Sequence, residues 1–79
     1  MVLEKDLLSE IQKWSKKLNE AMSDVKPVTP DGMKLFANIK AYYDDSAHFL
    51  DNRELIKSFE SLIWAWALLE IGKELKHIR

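Results

Sequence analysis

Three of the four residues in this chain that most readily interrupt a helix, Pro27, Pro30 and Gly32, fall within six consecutive positions, and the fourth is Gly72. Proline removes a backbone donor, and both residues disfavour helix interiors. Their clustering therefore leaves two long stretches without punctuation. In both, large apolar residues recur at intervals of three and four, the period of a helix buried on one side. No segment alternates apolar and polar residues as a half-buried strand does. The spacing predicts an all-α fold, an antiparallel up-down-up three-helix bundle with long helices forming a single domain over residues 1–79.

Helix one is predicted over about 3–25. Leu3, Leu7, Ile11, Trp14, Leu18, Ala21 or Met22, and Val25 fall in a stripe about 100° wide, with Lys5, Asp6, Glu10, Lys13, Lys17 and Glu20 opposite. Helix two is predicted over about 30–50. Thr29 can cap its start, Pro30 suits the first helical position, and Asp31 favours the positive end of the dipole. Its apolar set of Leu35, Phe36, Ile39, Tyr42, Tyr43, Ala47, Phe49 and Leu50 spans roughly 160°, wide enough to meet two neighbours. Asp51 and Glu54 stand at capping-box spacing, so a tight turn leads into helix three, predicted over about 53–78.

Helix three carries an excess of apolar surface. Leu55, Phe59, Leu62, Trp66 and Leu69 form one seam, and Trp64, Leu68, Ile71, Leu75 and Ile78 form another nearly opposite. In a three-helix bundle each helix meets its neighbours from directions only about 60° apart. Three readings compete. The helix ends or kinks near Gly72, its seam drifts with supercoiling, or one seam faces another chain. Drift of about 20° per heptad is too slow to turn the seam by half a revolution. The plainest alternative leaves both indoles in the core with one partly exposed.

Composition narrows the chemistry. The chain has no Cys, which excludes disulfides, thiolate ligands and thiol nucleophiles. Its 12 basic and 13 acidic residues are spread evenly, whereas nucleic-acid binders carry a basic face, so nucleic acid is a disfavoured partner. The longest apolar run, Leu62 to Leu69, is far too short to span a membrane, and the charged start does not resemble a secretory signal, so a cytoplasmic location is expected. Asp44 with His48, and Glu74 with His77, are pairs one turn apart, but the further ligands that a helical metal site needs are missing. Asp44 and Asp45 point about 100° apart on a helix. Two distant glycines build no phosphate loop, and no Ser stands in a nucleophile elbow. No catalytic, cofactor or metal site is expected.

The stretch Ala41-Tyr42-Tyr43-Asp44-Asp45-Ser46-Ala47-His48-Phe49-Leu50, then Phe59-Glu60, then Trp64-Ala65-Trp66-Ala67-Leu68-Leu69, resembles the archaeal domain of unknown function 357 family. The likeness covers helices two and three, roughly half the chain, while helix one matches in pattern alone. It implies a compact three-helix bundle and brings no activity or catalytic residues to carry over. The same hairpin faintly echoes a tetratricopeptide helix pair, though one pair cannot bury its own face.

The expected role is a non-enzymatic protein-interaction or assembly module whose partner is another protein or a second copy in a homodimer. The surface expected to carry it is Trp64, Leu68, Ile71, Leu75 and Ile78 on helix three. The alternative is an accessory helical domain that binds RNA or a nucleotide-handling enzyme.

Overall fold

The computed structural model describes residues 2–79, in which three helices follow one another: α1 Val2–Ser23, α2 Pro30–Asp51 and α3 Leu55–Glu74. The body is elongated, 44 × 17 × 17 Å. α3 is the central element. α2 lies close along it, α1 touches it over a shorter length, and α1 and α2 hardly meet. The directions are up-down-up. The segment after α3 returns to the start of α2, and the middle of α1 meets the middle of α3 through Trp14 and Trp66.

The start of α2 follows from its sequence. Thr29 is extended (φ −135°, ψ 162°), its Oγ1 accepts the Gly32 N–H at 2.8 Å, and Pro30 opens the helix. This satisfies one of the amides that every helix leaves free at its N-terminus.

The two later helix ends differ from expectation. Asp51 and Glu54 form no capping box: α2 runs through Asp51, and Glu54 caps α3 with no side-chain hydrogen bond, pairing instead with Lys57 at 3.3 Å. The turn is closed from the α2 side. Arg53 adopts φ 63°, its N–H donates to the Leu50 carbonyl, and the Glu54 N–H donates to the Phe49 carbonyl. That pair of bonds defines a Schellman motif, which usually places glycine where Arg53 stands.

The same device stops α3 at Glu74, four residues short of the expected end. Lys76 has φ 62°, its N–H donates to the Lys73 carbonyl, and the His77 N–H reaches the Gly72 carbonyl. The chain then reverses and pairs antiparallel with the α1–α2 connector. Lys26 and Arg79 exchange N–H···O bonds of 2.9 Å each way, and the Val28 N–H donates to the His77 carbonyl. Ile78, expected on the outer seam of a continuous helix, is instead 2% exposed within the core. The competing expectation of an end near Gly72 comes within two residues of this stop, but Gly72 itself is helical, and nothing in residues 73–78 marks the stop because the left-handed position is filled by a lysine.

Two glycines make room for this returning tail. A Cβ on Gly32 would lie 2.1 Å from the His77 carbonyl oxygen, and one on Gly72 would lie 2.7 Å from Ile78 Cδ1 and 2.8 Å from Leu35 Cδ2. Gly72 therefore sits inside an unbroken helix as a seat for Ile78. His77, paired with Glu74 by spacing in the sequence, has its Nδ1 2.8 Å from Thr29 Oγ1.

The core consists of Leu18, Ile39, Leu62, Ala65, Leu69 and Ile78, with Ile11 buried further along α1. The closest line between α2 and α3 is built from small residues. Ser58, Ser61, Ala65 and Gly72 are buried on α3, and Gly32 and Ser46 on α2. Ser46 Oγ–H donates to the Ser58 carbonyl and Ser58 Oγ–H to the Ser46 carbonyl, both at 2.8 Å, with the hydroxyls 3.0 Å apart. Each of these two buried hydroxyls is thereby satisfied, and the small side chains let the helices approach closely. Ala47, expected on the apolar face of α2, is exposed.

Candidate interaction surface on the third helix

The inner seam of α3 lies where expected. Leu62 and Leu69 are fully buried, and Trp66 turns towards α1. The two indoles meet edge to face, with centroids 5.9 Å apart and planes at 87°, and Trp66 Nε1–H donates to the Trp14 carbonyl at 3.3 Å. Trp14 is in turn held from outside. Its Nε1–H donates to Glu10 at 2.9 Å, and the ammonium groups of Lys13 and Lys17 lie 5.4 and 4.7 Å from its ring centre. Such ammonium–indole contacts are worth about 0.5–1 kcal/mol at exposed sites. Lys13 and Lys17, expected opposite the apolar stripe of helix one, thus cover its tryptophan.

The outer face of α3 is different. Trp64 is 58% exposed, Ile71 46% and Leu75 62%. Ile56 and Ile63, absent from the expected surface, join them at 69% and 50% exposed. Leu68 is half-buried and lines a shallow groove with Asn38, Ala41, Tyr42, Asp45 and Trp64. The Trp64 ring lies over Tyr42, with centroids 6.3 Å apart and planes at 19°. Of the five residues singled out on sequence grounds, four stand on or beside this face, and Ile78 does not. Ile56 and Ile63 were legible from their spacing of seven, but they fall between the two large-residue seams and match neither.

Geometry explains why this face has no internal partner. α3 receives α2 along its small-residue line and α1 along the Leu62–Trp66 side. The third side, roughly opposite the core, is covered by no other helix among the described residues, and Trp64 alone reaches across at its edge to Tyr42. Exposed glutamates, Glu60, Glu70 and Glu74, lie among its apolar residues, and one base, the exposed Lys57, stands in line with Leu75 five turns earlier.

A second apolar opening lies at the far end of the bundle. Leu3, Leu7, Leu8, Leu50, Leu55 and Ile56 line a cleft of about 1090 Å³ between the beginning of α1 and the α2–α3 turn. Ile56 borders both features.

Chemistry does not assemble. Asp44 and Asp45 are exposed on α2, and His48 Nε2 lies 3.3 Å from the Asn52 side-chain amide, an exposed contact one turn on. His77 is engaged by Thr29, away from the exposed Glu74. Among the described residues, no group of three or more His, Asp or Glu side chains is placed to hold a metal ion. No helix among them is long and apolar enough to cross a membrane.

These features have close counterparts. A crystal structure of protein AF1782 from Archaeoglobus fulgidus, assigned to the DUF357 family, superimposes with a TM-score of 0.89 at 35% sequence identity. The alignment covers 98% of this chain and 96% of that one. No curated protein matches the chain. The family described as protein of unknown function (DUF357) matches residues 13–78, which takes in the second half of α1, all of α2 and α3, and the returning tail as far as Ile78. On that span, and on the shared fold, the chain belongs to the DUF357 family.

Proposed function

We propose that this protein is a non-enzymatic assembly module that self-associates through the outer face of α3. The observation that carries the reading is the row of large apolar side chains there, Ile56, Ile63, Trp64, Ile71 and Leu75, each with about half or more of its surface exposed. Isolated exposed apolar residues are ordinary, whereas a contiguous set marks an interface.

Area favours a second copy as the partner. Five such side chains present on the order of 500 Å² per chain, so two faces brought together withdraw roughly 1,000 Å², where specific interfaces begin. A twofold dimer needs one patch that serves both sides, and this face extends along most of a 20-residue helix.

Sedimentation velocity of the wild type beside Trp64→Glu tests the proposal. The wild type is expected to sediment as a dimer at tens of micromolar, and the variant as a folded monomer with unchanged helical circular dichroism. A wild-type monomer under those conditions overturns it.

A further inference from the structure

Resting on that self-association, we infer that the two copies of α3 pack antiparallel, with Glu60 of each chain reaching Lys34 of the other. The argument begins with the midline of the exposed face. Ile56, Glu60, Ile63, Ala67, Ile71 and Glu74 follow one another at steps of four, three, four, four and three, so residues 56, 60 and 63 repeat at 67, 71 and 74. An eleven-residue period is close to that of a straight helix, so the stripe keeps to one side along the whole of α3.

Two glutamates therefore lie within the stripe rather than at its rim. In a parallel twofold pair every midline residue meets its own copy. Glu60 would face Glu60 and Glu74 would face Glu74, with apolar side chains around them excluding water. Like charges so placed repel more strongly as the local dielectric falls. An antiparallel pair removes both clashes. With the twofold axis between Trp64 and Ala67, the Trp64 indole meets the small Ala67 of the other copy, Ile56 meets Leu75, and Glu60 meets Ile71.

The glutamate then needs a cation, and α2 supplies it. Asn38, Ala41 and Asp45 border the groove beside Trp64 and Leu68. Lys34 lies one turn before Asn38 on the same side of α2. Its neighbour Leu35 reaches the Gly72 position, and because α2 runs antiparallel to α3 this sets Lys34 at the level of Lys73, in the turn of α3 that also holds Ile71. Lys34 is exposed, and no ion pair within 4 Å engages it among the described residues of the isolated chain. In the antiparallel pair it flanks the Ile71 that Glu60 meets, so the acid at the centre of one face is answered by a base at the edge of the other. The relation is reciprocal, giving two such pairs per dimer.

Because the chain contains no cysteine, one spin label can be placed at Lys57→Cys without competing sites. In the antiparallel pair residue 57 lies opposite residue 74, an axial offset of about 25 Å at 1.5 Å per residue. Electron–electron dipolar spectroscopy is expected to give a label separation of about 25–35 Å. A separation near 10–15 Å means a dimer of parallel helices and overturns this inference while leaving self-association standing. Absence of any intermolecular coupling at a concentration of tens of micromolar overturns both. Charge exchange gives an independent reading. Glu60→Lys is expected to weaken the dimer at least tenfold, and adding Lys34→Glu to it is expected to restore most of the affinity. A double variant no tighter than Glu60→Lys alone refutes the Glu60–Lys34 pairing.

Discussion

Replacing glycine by alanine inside a helix ordinarily stabilises a protein by up to about 1 kcal/mol, because the unfolded chain loses freedom and the helix gains a better former. Gly32 and Gly72 both lie inside helices, so propensity alone predicts the same modest gain at either site. Their surroundings predict different results. The Gly32→Ala methyl would stand 2.1 Å from the His77 carbonyl oxygen, more than 1 Å inside ordinary contact, and that oxygen belongs to backbone. Relief requires the tail to withdraw. Withdrawal gives up the Val28 N–H···O=C His77 bond, both Lys26–Arg79 bonds and the Thr29–His77 contact, worth about 1 kcal/mol net each, and loosens a buried isoleucine worth about 1.5–3 kcal/mol. Against this stand the propensity gain and about 1–2 kcal/mol of regained backbone freedom for each tail residue released. The expected balance is a destabilisation of about 2 kcal/mol. At Gly72 the obstructing atoms are the tips of Ile78 and Leu35, which can turn aside, so Gly72→Ala is expected to cost less than about 1 kcal/mol. Urea unfolding followed by tryptophan fluorescence measures both values. Amide exchange at Val28 and Arg79 reports whether the tail stays docked. A Gly32→Ala variant as stable as wild type, with those amides still protected, would refute the reasoning.

Ile78→Val removes the methyl that crowds Gly72, so Gly72→Ala in that background is expected to be at least as stable as Ile78→Val alone, by the same urea titration. The serine pair has two protons for three short contacts, and both go to carbonyls. Ser46→Ala and Ser58→Ala are each expected to cost about 1 kcal/mol, and the double variant about 2. A double-mutant coupling above about 1 kcal/mol would show instead that the hydroxyls bond to each other. Arg53→Gly and Lys76→Gly each place the residue best suited to a left-handed backbone where φ is 63° and 62°. Each is expected to raise the urea midpoint by an amount equivalent to about 0.5–1 kcal/mol, and a fall in either would contradict the Schellman geometry.

The helices and their order were legible because large apolar residues repeat at helical spacing and Thr29-Pro30-Asp31 is an unambiguous start. The end of α3 was not. Both left-handed turns are made by cationic residues, Arg53 and Lys76, which carry no breaker signal, and Ile78 fits the outer seam by spacing alone. The arrangement around α3 was hidden for a related reason. Counting large side chains shows the seam towards α1 and the exposed one, but misses the line towards α2, where Ser58, Ser61, Ala65 and Gly72 bring the backbones together. Trp64 and its companions were found because they are large. Ile56 and Ile63 were missed because they lie between seams, and Glu60 gains significance only when the face is seen as a whole.

The strand-like lacing of Lys26–Val28 to His77–Arg79 fastens all three rods at one pole, whereas at the opposite pole only the α2–α3 turn joins any two of them, and α1 leans across an open cleft. The molecule is hinged in the manner of a clothes-peg. Its sprung jaw is the leading half of α1, anchored no nearer the tip than Ile11. Loosening is therefore expected to begin there, where Leu7 and Leu8 are only half-buried, and to reach the knot at the other extremity last.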